Sequence, residues 1–222
     1  MDGPDELYPD RIGFPVTCIG AGGIGSSIIP MFVRAGVQKL SIWDFDVVAP
    51  VNLQMQNFDA KDLGKLKAKV LARRAKQINP NIKVYAKIKR FTQYCPLDGI
   101  VVGAVDSMEK GREQIFAAVK KSSSVELLVD GRFTRKGDFI DLYFIDPRSE
   151  EEMENYKGWL FPDSEAFSTP RSDSMTSHVP YILSGLMGEV LAVWAKDRSH
   201  PWKVIYDAGS HSAERYYASG SN

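Results

Sequence analysis

The chain has 222 residues, with 28 Lys+Arg against 28 Asp+Glu, so its formal net charge is zero. That balance leaves no electrostatic footprint for nucleic acid or an anionic membrane. Two cysteines, Cys18 and Cys95, are too few for a disulfide framework and do not make a four-ligand zinc site.

The length suits one domain with a sizeable core. No stretch approaches about 18 uninterrupted apolar residues, so no membrane span is expected. The start, Met1-Asp2-Gly3-Pro4-Asp5-Glu6, is acidic and lacks the apolar run of a signal peptide. The expectation is a soluble cytoplasmic protein with no nucleic-acid or membrane partner.

Residues 1–12 are polar and punctuated by Pro and Gly, as in an irregular arm. Val16-Thr17-Cys18-Ile19 is a short apolar run between Pro15 and Gly20, as in a buried parallel strand. Ile24, Ile28, Phe32 and Val33 recur at helical spacing, and Gly36 is placed to end that helix. Lys39 to Trp43 is a second strand, which completes a βαβ unit with a right-handed crossover. Lys65 to Ile78 is a helix stopped by Asn79-Pro80. Ile82 to Ala86 is a third strand. Gly99 to Ala104 is a fourth, apolar enough to be buried on both faces. Met108 to Val119 is a helix, and Glu126 to Val129 a fifth strand.

The second half changes character. Phe139 to Phe144 partly alternates, as in an antiparallel strand. Residues 147–178 are polar and carry the acidic run Glu150-Glu151-Glu152, which predicts a long excursion or flap. Pro180 to Lys196 is a helix with an apolar stripe through Leu183, Met187, Val190, Leu191 and Trp194. Val204 to Tyr206 is a last strand, and the tail from Ser210 is expected to be mobile. The predicted fold is α/β: a doubly wound, mostly parallel Rossmann-like sheet with helices on both faces, plus C-terminal antiparallel strands and a long helix. A single domain over 1–222 is expected. Its nucleotide-binding half is 12–132, and its C-terminal half is 133–222.

Gly20-Ala21-Gly22-Gly23-Ile24-Gly25 follows a strand and opens a helix. The first glycine permits the turn, the second lets a phosphate approach the backbone, and the third lets helix and strand pack closely. The helix N-terminus adds free N–H groups and a partial positive charge. Asp44 closes the second strand about 20 residues past the loop, where a carboxylate meets ribose hydroxyls. These features alone fit NAD as well as ATP.

Further along stand Asp44-Phe45-Asp46, Val51-Asn52-Leu53-Gln54-Met55-Gln56, Gly64-Lys65-Leu66-Lys67-Ala68, Ile78-Asn79-Pro80 and Gly103-Ala104-Val105-Asp106-Ser107. In this order and spacing, with Arg34-Ala35-Gly36-Val37 ahead of the second strand, they resemble the ThiF/MoeB/HesA superfamily, relatives of the ubiquitin-activating enzymes. The resemblance covers about residues 12–132 and loosens beyond. It implies an ATP-dependent adenylyltransferase. Such an enzyme activates the C-terminal carboxylate of a ubiquitin-like protein, a sulfur carrier or a peptide as an acyl adenylate. By position, Asp44 holds the ribose, Asn52 and Gln56 line the triphosphate site, and Lys67 contacts the phosphates. Asp106 holds Mg²⁺. The implied cofactor-binding set is Gly20, Gly22, Gly23, Gly25, Asp44, Asp46, Asn52, Gln56 and Lys67. Lys67 and Asp106 are the catalytic pair, and ATP and Mg²⁺ are the cofactors. Neutralising charge is the main task when a carboxylate attacks phosphorus, and a lysine and a metal-binding carboxylate suit it.

The sequence departs from the family in four ways. Met55 stands where the family has an arginine. The N-terminal helix that lends another arginine to a neighbouring subunit is not evident, and Arg11 is a poor substitute. Arg112 lies six residues after Asp106, where the family arginine lies at five. There is no Cys-x-x-Cys pair, so no zinc is expected, and no cysteine in 147–178, so no thioester step. Activity at a reduced rate, a partner that supplies the arginine in a homodimer or heterodimer, and an inactive nucleotide-binding subunit all stay open. An NAD-dependent oxidoreductase is the remaining rival. Cys18 reads as core. His178 reads as a helix cap or surface residue. Trp159, Leu160 and Phe161 read as an anchor for the flap, with a groove for a carrier's tail as the alternative. Gly185 and Gly188 permit another helix to approach, either within the chain or across a dimer.

Overall fold

The computed structural model describes residues 12–134, 139–162 and 177–219. Arg11 and most of the expected N-terminal arm lie outside the described residues. Ile12 is buried, and its N–H bonds the Ala35 carbonyl at 2.9 Å.

The seven expected strands are present as β1 (Val16–Ile19), β2 (Lys39–Trp43), β3 (Lys83–Lys87), β4 (Gly99–Gly103), β5 (Val125–Phe133), β6 (Phe139–Ile145) and β7 (Lys203–Asp207). An eighth, β8 (Ser212–Tyr216), lies in the tail expected to be mobile. All its residues are exposed, and antiparallel pairing with β7 orders it, Ile205 opposite Glu214. The sheet runs β3-β2-β1-β4-β5-β6-β7-β8. The first five strands are parallel and the last three antiparallel.

The helices are α1 (Gly23–Arg34), α2 (Lys67–Ile78), α3 (Glu113–Lys121), α4 (Glu150–Lys157) and α5 (Val179–Asp197). Gly36, at φ 80°, follows the C-cap of α1. Its N–H bonds the Val33 carbonyl and that of Val37 bonds Phe32, which satisfies two terminal carbonyls. The α4 helix corrects the expected flap. Ser149 caps it by accepting from the Glu152 N–H at 3.2 Å, and three glutamates sit in its first turn, where the helix dipole favours them. The rest of that segment, 163–176, lies outside the described residues. Among the described residues no helix is long and apolar enough to cross a membrane.

The inner strands alternate their side chains between two cores. In β6, Ile140, Leu142 and Phe144 join the core under α1, α2 and α5, while Tyr143 and Ile145 join the core under α3 and α4. Gly188 on α5 faces Met31 on α1, where an added Cβ would crowd the thioether, so an internal contact accounts for it. Gly185 has open space beside it. It lines a surface groove of about 260 Å³ with Ile12, Met31, Ala35, Gly188 and Ala192.

Candidate functional site

From β1 the chain winds through α1 to β2 on one side, while β4 lies on the other. Strand order therefore reverses between β1 and β4, and a crevice opens at their C-terminal ends, where open α/β sheets take ligands. The glycine loop leaves β1 at this point. Gly20 has φ 100°, and a Cβ on it would collide with the Ala104 carbonyl, so loop and β4 edge approach as only glycine allows. A Cβ on Gly25 would collide with the Gly20 carbonyl, the close helix–strand approach expected of the third glycine. Among the described residues no side chain caps the N-terminus of α1, which leaves its first N–H groups at the crevice edge. Gly23 packs against Pro180, so α5 begins beside the loop.

Asp44 stands at the end of β2. Its carboxylate accepts from the Ala21 N–H and the Asp46 N–H, each at 2.7 Å, which ties the loop to the β2 edge. Burial raises its pKa from the ordinary value, against those two N–H groups and nearby Lys67. Lys67 opens α2 and is 6% exposed, so it is not a solvated helix lysine. Its Nζ lies 3.3 Å from Asp46 Oδ2, and its N–H bonds the Asp46 carbonyl at 2.9 Å. Asn52 turns its side-chain oxygen onto the Ala49 N–H at 2.8 Å and shapes the short 3₁₀ helix Pro50–Gln54. Gln56 follows, its amide nitrogen 3.9 Å from where a Cβ on Gly22 would sit. Gln56 Oε1 is buried with no hydrogen-bond partner among the described residues. Such an orphan acceptor beside the glycine loop suits a site completed by a ligand that brings a donor.

Asp106 sits three residues beyond β4 on the same edge and is exposed. The Lys110 N–H bonds Ser107 at 3.1 Å, so Ser107 caps the following turn. Among the described residues no hydrogen bond or ion pair engages the Asp106 carboxylate, which suits a Mg²⁺ ligand. The structure thus joins the glycines, Asp44, Asp46, Gln56 and Lys67 in one crevice. It places Asp106 along the edge without a bond to them. Cys18 is fully buried, its thiol pushed up to about 12 by burial and then by Asp44, as an inert core residue requires.

The expected helix from Met108 starts as a π-helical turn, Met108–Arg112, in which the Arg112 N–H bonds the Ser107 carbonyl at 3.1 Å. A π turn inserts one residue. Arg112 is buried, with its Nε 3.0 Å from Asp130 Oδ1. Asp130 also accepts from Arg132 Nε at 2.8 Å and the Tyr156 hydroxyl at 3.1 Å. A Cβ on Gly103 would lie 3.3 Å from Asp130, so this cluster adjoins the end of β4. The sequence reading missed Asp130 and Arg132. Their signal was two charged residues flanking Gly131 directly after the apolar run Leu127-Leu128-Val129. Trp159 anchors the segment after α4: its carbonyl accepts from Arg132 Nη1 at 2.8 Å and its ring covers Lys203.

Comparison with known proteins places this geometry. The ThiF family model matches residues 14–136, more than half of the chain. The ubiquitin-like modifier-activating enzyme 5 of Culex quinquefasciatus is 29% identical over 97 residues, which are 41% of this chain and 24% of that enzyme. The sulfur carrier protein adenylyltransferase of Thermus thermophilus is 33% identical over 98 residues, 41% of this chain and 36% of that protein. The chain thus spans about a quarter to a third of these relatives. The crystal structure of E. coli MccB with AMPCPP and MccA superposes with a TM-score of 0.71 at 16% identity, covering 97% of this chain and 68% of MccB. At that identity the likeness is one of fold. A family match over more than half of the chain, on a fold shared with MccB, makes this chain a member of the ThiF family.

Proposed function

We propose that this chain adenylates a carboxylate with ATP. A carboxylate oxygen of the substrate attacks the α-phosphorus, the bond to the β-phosphate oxygen breaks, and pyrophosphate leaves with that electron pair. The observation that carries this reading is the crevice itself. It gathers uncapped N–H groups, a buried lysine and an orphaned Gln56 oxygen beside a free carboxylate on one sheet edge.

Each residue has a task. The α1 N-terminus and Lys67 hold negative phosphate oxygens. Asp44 keeps acceptor capacity for ribose hydroxyls while fixing the loop. Gln56 turns toward the phosphates at Gly22, and Asn52 shapes the turn that carries it. Asp106 would hold Mg²⁺, which when bound supplies charge neutralisation for the triphosphate. The substrate is a C-terminal carboxylate of a ubiquitin-like protein, sulfur carrier or peptide, as the names of the relatives and of MccA suggest.

ATP–pyrophosphate exchange with Gly-Gly-terminated proteins and peptides tests this reading. Acceptor-dependent exchange that disappears in Asp106→Ala supports it. ATP binding without exchange for any acceptor sinks it in favour of a second reading, a non-catalytic or partner-dependent subunit. That second reading rests on Met55, which stands in place of the family arginine at the end of the 3₁₀ helix. Thermal stabilisation by NAD rather than ATP–Mg²⁺ would replace both with an oxidoreductase.

A further inference from the structure

Beyond the crevice, one face of the antiparallel half carries an unusual row. Asp130, Tyr143, Lys203 and Tyr216 stand in register on β5, β6, β7 and β8, with Arg132 one step further along β5. Three cations lie here, Arg112, Arg132 and Lys203, with Asp130 and Asp141 as the acids facing them.

The acids do not pair all of these donors: among the described residues no ion pair joins Asp141 to any of the three cations, although it faces Lys203. Asp130 is consumed by Arg112, Arg132 and Tyr156. Arg132 Nη2 and the Tyr143 hydroxyl are buried with no hydrogen-bond partner among the described residues, although Tyr143 is fully buried. Lys203 is 3% exposed, and no hydrogen bond to its amine is found among the described residues. Its Nζ sits 3.3 Å from the centre of the Trp159 ring instead. A ring face is a weak substitute for an anion. Arg132 and Lys203 both pack against Tyr143, at 4.6 and 5.3 Å from its ring centre. Burying such donors unpaired costs stability. Burial also lowers the pKa of Lys203, opposed by Asp141 and aided by Arg132.

We propose that Arg132, Tyr143 and Lys203 form a carboxylate-binding subsite that selects acyl substrates carrying an acidic side chain a few residues before the reacting terminus. This rests on the adenylation reading. The subsite begins on β5, next to the β4 edge that carries Asp106, and extends away from the nucleotide. Lys203 on β7 is three strand spacings from β4, roughly 14 Å, too far to hold the reacting carboxylate itself. An extended chain crosses that distance in about four residues. Trp159 is 43% exposed and covers Lys203 from the solvent side.

The test varies the ligand and leaves the full chain unchanged. Short fluorescein-labelled peptides ending in Gly-Gly, each with one Glu or one Gln at successive positions before the end, are titrated by fluorescence anisotropy. At one position the Glu peptide binds about tenfold tighter than its Gln twin. Lys203→Met abolishes the difference without lowering the melting temperature, because no acceptor loses a partner. Equal affinities at every position, binding of neither peptide, or a preference that survives Lys203→Met overturns the subsite. Pyrophosphate exchange run in parallel separates the two readings. Exchange without acid preference removes the subsite and keeps adenylation; acid preference without exchange removes adenylation, and with it the subsite's role in substrate selection, and leaves only a carboxylate-binding site.

Discussion

Lys67 shows 7% of its side chain to solvent, while its partner Asp46 shows 53%. The ammonium is desolvated but its counter-charge is wet, so the pair contributes under about 1 kcal/mol and yields to a more strongly charged ligand. Lys67→Met keeps the apolar stem packed. The variant should unfold within about 1 kcal/mol of the wild type while its exchange rate falls by about 10²–10³. An unchanged rate would remove Lys67 from the phosphate site. His200 offers a stability test. Its Nε2 lies 3.3 Å from Glu152, both side chains are buried, and its other ring nitrogen meets the Arg198 carbonyl. Burial works against the charged ring, but Glu152, Arg198 and Asp146 prevail and raise its pKa above the ordinary 6.5. The charged ring therefore contributes stability that is complete below about pH 6.5 and fades as pH rises through the higher folded-state value. Urea midpoints measured from acid to alkaline pH should fall more steeply for the wild type than for His200→Gln. Parallel curves would dismiss the linkage. Most of the crevice was legible at this scale, because Gly20, Gly25 and Asp44 owe their identities to backbone geometry that local sequence reports. Asp130 was not, since its three partners come from the π turn, β5 and α4 and no local pattern joins them.

Elements with an apolar face were readable, and those without one were not. The β1–α1–β2 unit follows from its apolar spacing, and α5 starts and stops within one residue of expectation. The α4 helix buries only Glu152 and Tyr156, so its acidic run resembled a loop, although Ser149 and Glu152 already stood at capping distance. Strand β8 exposes every residue and had no alternation to reveal it. The π turn was hidden for another reason: it depends on hydrogen-bond register rather than on residue type. Gly185 supplies this scale's prediction. An added Cβ meets nothing within 4 Å, so Gly185→Ala should stabilise the helix by about 0.5–1 kcal/mol and raise the melting temperature by roughly 1–4 °C. A lower melting temperature at high protein concentration would show instead that a second chain uses the groove beside it.

At the scale of the molecule, both halves share one sheet. The β5–β6 ladder runs from Leu128 opposite Ile145 to Phe133 opposite Ile140, and joins the parallel strands to the antiparallel ones without a gap. The buried Asp130 cluster draws on both sides of that join. Unfolding in urea should therefore be a single transition, with tryptophan fluorescence and far-ultraviolet circular dichroism coincident. Displaced curves would divide the chain into independent units. Among the described residues the sheet has two unpaired margins, β3 and β8. Along β3, Lys83, Tyr85 and Lys87 are exposed, and along β8, Glu214 and Arg215 are. Were two copies to zip together antiparallel about Tyr85, each Lys83 would face a Lys87. Like charges so opposed make polymerisation through that margin unfavourable, so β3 guards its own border of the sheet against amyloid-like growth by repulsion.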